Sequence, residues 1–200
     1  MRRTLRKWAS VALGFSMIAL WPLAAQALTM HFDFDYSYTQ TGYTSVPAVN
    51  HIYNAQLGYG WNIGVEAGER SGEFDNFLLR DFHYNFQDRI FMVDLPDGPY
   101  ELTLYFRDKS WTHDRIQVSA EGVLKVDIFE LPYGTTRSEV FTTDVADGQL
   151  NLTFHDGGGT DLSWIINGMD IALMPLPSAA LLFGTGLAAL GLWRRGRTKA

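Results

Sequence analysis

The 200-residue chain is 46% hydrophobic and 14% aromatic, with 19 Gly and 7 Pro, which is too apolar for disorder and leans towards β structure. Its formal charge of −6 hides an asymmetry: four bases precede residue 28 and four follow residue 193, so the stretch between holds 22 acids against 8 bases, a net −14. So acidic a domain is repelled by phosphate backbones, which excludes nucleic-acid binding, and the absence of cysteine excludes disulfides, thiol catalysis and Cys-ligated metal centres.

Residues 1–27 read as a signal peptide. Arg2, Arg3, Arg6 and Lys7 form a basic start, an apolar stretch runs over 11–23, and Ala25-Gln26-Ala27 is a small-x-small cleavage site. Beyond it the apolar period is two. The first candidate strand, 32–36, alternates Phe32 and Phe34 with Asp33 and Asp35, so both carboxylates leave one face. Such a pair is unfavourable unless it is solvated or bridged by a cation, and Ca²⁺ takes carboxylate oxygens of this kind.

Ile90-Phe91-Met92-Val93-Asp94-Leu95 runs into the turn Pro96-Asp97-Gly98-Pro99, and Tyr100, Leu102, Leu104 and Phe106 then alternate on one face. The design recurs at an offset of 50, where Asp144-Val145-Ala146-Asp147-Gly148 precedes Leu150, Leu152 and Phe154. Two such units predict two hairpins in one sheet system rather than a true repeat. Further strands are expected at 115–119, 123–128, 139–143 and 163–173, the last broken at Asn167-Gly168. No window of helical length carries an amphipathic face. At least seven short strands with frequent turns predict an all-β fold, an antiparallel β-sandwich over residues 28–173.

The motifs in this region carry a resemblance. Phe32-Asp33-Phe34-Asp35, Gly58-Tyr59-Gly60-Trp61, Arg80-Asp81-Phe82, Leu95-Pro96-Asp97-Gly98-Pro99-Tyr100, His113-Asp114-Arg115-Ile116 and Trp164-Ile165-Ile166-Asn167-Gly168-Met169-Asp170 occur in that order. Together they resemble the galactose-binding-like module of rhamnogalacturonan-degrading enzymes, and also malectin-like and family-35-type carbohydrate-binding modules. The resemblance implies a jelly roll, a glycan ligand and a structural Ca²⁺. In that arrangement Asp170 on the last strand joins Asp33 and Asp35 on the first. The catalytic partner domain of such enzymes has no counterpart within the matching region.

A sugar offers an apolar C–H face and a rim of hydroxyls, so its site needs an exposed aromatic plane beside hydrogen-bonding side chains. Arg107-Asp108-Lys109-Ser110-Trp111-Thr112-His113-Asp114 is the leading candidate, because no alternation assigns Trp111 to the core. Arg107, His113 and Asp114 are its expected polar partners, Tyr59 with Trp61 a second platform and Tyr133 a third, while Trp164 reads as core. His155-Asp156-Gly157-Gly158-Gly159-Thr160-Asp161 reads either as an ordinary connection, the reading adopted, or as a loop whose glycines let backbone approach a ligand. Catalysis finds no support: adjacent His113-Asp114 is not a triad, and neither Gly-x-Ser-x-Gly nor His-Glu-x-x-His occurs.

The end of the chain is an address. Residues 171–193 hold no charge over 23 positions, enough at about 1.5 Å per residue to cross a bilayer core of about 30 Å as one transmembrane helix. Pro175-Leu176-Pro177 precedes this stretch, and Arg194, Arg195 and Arg197 follow it. The order over 174–200 resembles the PEP-CTERM sorting signal of Gram-negative bacteria, with Leu176 where the usual motif has Glu. That resemblance implies an exosortase partner, an inner-membrane-anchored precursor and delivery to the cell surface or extracellular matrix. The expectation is therefore an exported, non-enzymatic protein that binds polysaccharide. The alternative is a structural matrix protein acting through protein contacts, favoured if the aromatics of the 107–114 loop prove packed.

Overall fold

Side-chain alternation sets the strands, and the computed structural model describes them over residues 28–48, 51–70 and 76–175. The expected signal peptide, and the expected sorting tail from residue 176, lie outside the described residues. In chain order the strands are β1 (Thr29–Asp33), β2 (Thr44–Ser45), β3 (Tyr59–Trp61), β4 (Glu66–Glu69), β5 (Asp81–Asn85), β6 (Arg89–Asp94), β7 (Gly98–Phe106), β8 (His113–Ala120), β9 (Val123–Leu131), β10 (Arg137–Val145), β11 (Gln149–Asp156), β12 (Trp164–Ile166) and β13 (Gly168–Leu173). A short 3₁₀ turn, Phe77–Leu79, leads into β5, and among the described residues there is no α-helix.

One five-stranded sheet runs β10-β7-β13-β1-β2, a second runs β3-β6-β11-β8-β9, and β12-β5-β4 form a third. All pairs are antiparallel except β1 with β2. The expected faces hold: Tyr100, Leu102, Leu104 and Phe106 are fully buried, as are Leu150, Leu152 and Phe154. Residues from all three sheets join one core. This is the β-sandwich expected, with Trp164 inside it and the predicted break falling between β12 and β13.

The two similar strand–turn–strand units are not hairpins. β6 and β7 lie in different sheets, as do β10 and β11, so each turn is an arch that carries the chain across the core. The arches lie side by side because β6 pairs with β11 and β7 with β10. They bond to each other directly: Leu95 N donates to Gly148 O at 3.0 Å, and Gly148 N donates to Asp97 Oδ1 at 3.0 Å. The shared Asp-x-x-Asp-Gly pattern thus marks two equivalent corners.

The apolar run at 171–193 begins inside the sheet. Ile171 to Leu173 end β13, paired with Leu102 to Tyr100, and Met174 N still donates to Pro99 O at 2.9 Å. Those residues belong to the sandwich and not to a membrane span. No helix among the described residues is long and apolar enough to cross a membrane.

Candidate functional site

β4 and β5 build the floor of a surface cavity of about 450 Å³. Alternation along β5 turns Phe82, Tyr84 and then Phe86 to one face, and Phe86 beyond the strand end is 60% exposed. Gly68 pairs with Phe82 on β4, and a Cβ there would come 2.6 Å from the Phe82 ring. Glycine therefore lets this ring lie across the backbone. Trp111, 66% exposed, also lines the cavity, from the end of the loop that leads into β8.

A chain of ion pairs holds the wall between these aromatics. Arg70 stacks over Phe82, with its guanidinium carbon 4.9 Å from the ring centre, and grips Asp108 with Nε–Oδ1 at 2.7 Å and Nη2–Oδ2 at 2.6 Å. His113 Nε2 lies 3.1 Å from Asp108 Oδ2, and its Nδ1 lies 2.6 Å from Asp161 Oδ2. Ser163 Oγ donates to Asp161, and the N–H groups of Ser110 and Trp111 donate to Asp108.

Burial opposes a charge on Asp108, but the bonds from His113 and Arg70 outweigh it and hold the carboxyl well below the usual range. Burial likewise disfavours a charged His113, yet Asp108 and Asp161 overcome it and raise its pKa. Two cations and two carboxylates leave the wall neutral and rigid. With both ring nitrogens engaged, His113 has no free lone pair and is no general base. Asp108, held ionised, is no general acid.

The structure brings together only part of the expected sugar site. Trp111 is an open platform, and Tyr133 is also exposed, its N–H bonded to Thr112 Oγ1 at 3.1 Å. His113 lies in the cavity wall, but as a brace whose nitrogens are spoken for. Asp114 turns away to a neighbouring cavity, where it accepts from Thr160 N and Oγ1. Arg107 lines neither cavity; its N–H donates to Asn167 Oδ1.

The Tyr59–Trp61 platform is overturned. Trp61 is 1% exposed, packed on Phe34, Phe91, Phe154 and Trp164, and its Nε1 donates to His83 Nδ1 at 3.0 Å. Tyr59 is covered by Phe32 and by His51, with ring centres at 5.0 and 5.1 Å. Pairing of β3 against β6 draws both residues inward.

The carboxylate trio expected for Ca²⁺ does not assemble. β1 stops at Asp33, so Asp35 belongs to the following loop. Asp170 faces His31 across the β1–β13 ladder, where its oxygens meet His31 Nδ1 at 2.7 Å and the Tyr105 hydroxyl at 2.6 Å. Asp33 and Asp35 have Asp81 as their charged neighbour instead. Asp33 accepts from Gln40 N, and Asp81 from the N–H groups of Tyr36 and Ser37, so these carboxylates shape the loop after β1. Among the described residues no group of three or more His, Cys, Asp or Glu is placed to hold a metal ion.

Arg70, Tyr84, Phe86 and Ser163 were not singled out from the sequence, and Asp161 only as part of the 155–161 loop. The period-two aromatics Phe82, Tyr84 and Phe86 were a legible signal for the floor; the pairing of Asp108 with Arg70 and of His113 with Asp161 was not.

The described residues thus form a β-sandwich with an aromatic-lined surface cavity. Residues 30–172 match the family described as Beta-agarase/YXIM esterase-like, galactose-binding domain-like, and the chain belongs to that family. It is 31% identical over 156 residues to Beta-agarase A of Zobellia galactanivorans, covering 76% of this chain but only 28% of that enzyme. Among solved structures it resembles the protein YXIM of Bacillus subtilis, with a TM-score of 0.58 and 27% identity over 74% of this chain and 40% of that one. A Bacteroides uniformis beta-glucuronidase shares the fold at a TM-score of 0.53 and 18% identity, over 74% of this chain and 18% of that one. The chain thus spans well under half of these relatives. What it shares with them is the galactose-binding-like domain, related to carbohydrate-active enzymes and itself non-catalytic.

Proposed function

We propose that this protein is an exported, non-catalytic polysaccharide-binding module that takes sugars in the cavity between Trp111 and Phe86. One observation carries the reading: two large aromatic side chains open to solvent, Trp111 and Phe86, line the same cavity as a set of mutually paired charges. Exposed aromatic planes suit the C–H faces of a sugar, and a rigid wall costs little ordering on binding. The open Trp111 favours this over the matrix role through protein contacts, which called for a packed loop. The family relationship supports a glycan as ligand, and Beta-agarase A makes neutral galactans the first class to try.

The composition of the two ends supports the rest of the proposal. Residues 1–27 direct export, and 174–200 act as a PEP-CTERM-type signal that holds a precursor in the inner membrane for an exosortase, with the cell surface or extracellular matrix as destination. The binding test is a glycan array followed by calorimetry on the purified protein. We expect Trp111→Ala to weaken binding about tenfold or more, a loss of about 1.4 kcal/mol or more, with an unchanged melting temperature. Because the wall is neutral without a cation, chelator leaves the affinity unchanged. Full affinity in the Trp111→Ala protein would refute the assignment.

A further inference from the structure

We infer that the ligand is a linear, uncharged polysaccharide segment held across two adjoining cavities rather than a single sugar or chain end, an inference that rests on the glycan reading above. A second cavity of about 530 Å³ adjoins the Trp111 cavity, and Thr112 lines both. Its aromatic face is Phe129, 71% exposed on the edge strand β9, with the Arg115 guanidinium 5.7 Å over the ring.

The second cavity is built by breaking two local rules. Alternation along β8 sends Asp114 and Arg115 to opposite sides. Arg115 instead takes a left-handed φ of 54°, rare for such a residue, and both side chains line the same cavity. At Gly159, with φ of +139°, a Cβ would come 2.4 Å from Asp114 Oδ1. Only glycine lets the loop close there so that Thr160 bonds Asp114 through N at 3.0 Å and Oγ1 at 2.8 Å. The next residue, Asp161, donates its N–H to Asp114 and grips His113 with its carboxylate. One loop therefore fixes the walls of both cavities at once.

This arrangement selects a ligand class. Each cavity has its own exposed aromatic, Trp111 in one and Phe129 in the other, and Thr112 lines both, so a ligand that meets both rings is longer than one sugar. Asp114 and Glu130 outnumber the one cation, Arg115, among the charged residues lining the second cavity, which disfavours a uronate or sulfate.

The test is calorimetry on the purified protein with agaro-, cello- and xylo-oligosaccharides of two, four and six sugars, and with an alginate hexamer as the anionic probe. Affinity rises about tenfold or more from two sugars to six in at least one neutral series and stays weak for alginate. Phe129→Ala abolishes that rise, while Trp111→Ala weakens binding at every length; melting temperatures of both variants match the parent because both side chains are exposed. Affinity independent of length, a rise that survives Phe129→Ala, or alginate binding as tight as the neutral hexamer overturns the two-cavity inference, with Trp111-dependent binding still upholding the glycan reading. No Trp111-dependent binding in any series overturns both.

Discussion

Asp33 shows what a single buried carboxylate does to this fold. Burial pushes its pKa from 3.8 up to about 7, against the Gln40 N–H that favours its charge, and the neighbouring Asp81 and Asp35 add to the rise. A carboxyl raised in the folded state stabilises it fully below the ordinary value and loses that contribution as pH climbs through about 7. His113, also raised, loses its contribution upward in the same direction, whereas Asp108, held low, loses its own only in acid. Melting temperature should therefore fall between pH 6 and pH 8.5. Asp33→Asn should raise it at pH 8 by about 3 °C or more and by clearly less at pH 4, near the ordinary carboxyl value; an equal effect at both values would show that Asp33 is not the titrating group. Residue identity alone separated the two platform tryptophans poorly. Trp111 was read correctly because no alternation claimed it, and Trp61 wrongly because its flanking Gly60 suggested a turn while the pairing of β3 with β6 stayed invisible.

Among the elements, the arches after β6 and β10 are the clearest case of sequence foretelling structure and being misassigned. Their shared Asp-x-x-Asp-Gly pattern was visible, but whether a turn folds a strand back beside its predecessor or across to another sheet depends on partners some 50 residues away. Asp97 ties one arch to the other through Gly148 N. Asp97→Ala should cost about 1 kcal/mol, read as a lower midpoint in urea at constant slope; an unchanged midpoint would mean that the backbone contact between the arches suffices. β5 was missed for a different reason. Its polar residues Asp81, His83 and Asn85 are buried along with Phe82, while the aromatics after it grade outward through Tyr84 to Phe86, so no polar face marks the strand. His83 tolerates this by staying neutral, its pKa lowered to about 3 by burial, so that Nδ1 accepts from Trp61.

For the molecule as a whole, β1 and the strands from β6 onward were legible, because period-two patterning is local, whereas the short strands β2 to β5 and the cavities were not, because the cavity walls come from β4, β5, the 107–114 loop and the 155–161 loop together. The whole also limits where the proposed sorting protease could act. β13 lies in the middle of its sheet, between β7 and β1, and its last residue bonds back to Leu28. A cut before Leu173 would remove a central strand, so a processed surface form should end beyond that residue. Intact-mass analysis of the protein recovered from the cell surface checks this, and a fragment ending inside β13 would contradict it.

The pairing of Thr29 with Ala172 has a further consequence, for the order of events during synthesis. The first strand waits for the last, so the sheet has no complete partner set until residue 173 has left the ribosome. Contacts so remote in sequence close slowly. A chain that cannot finish its own domain while being made stays threadable, which is the state that the proposed export would require.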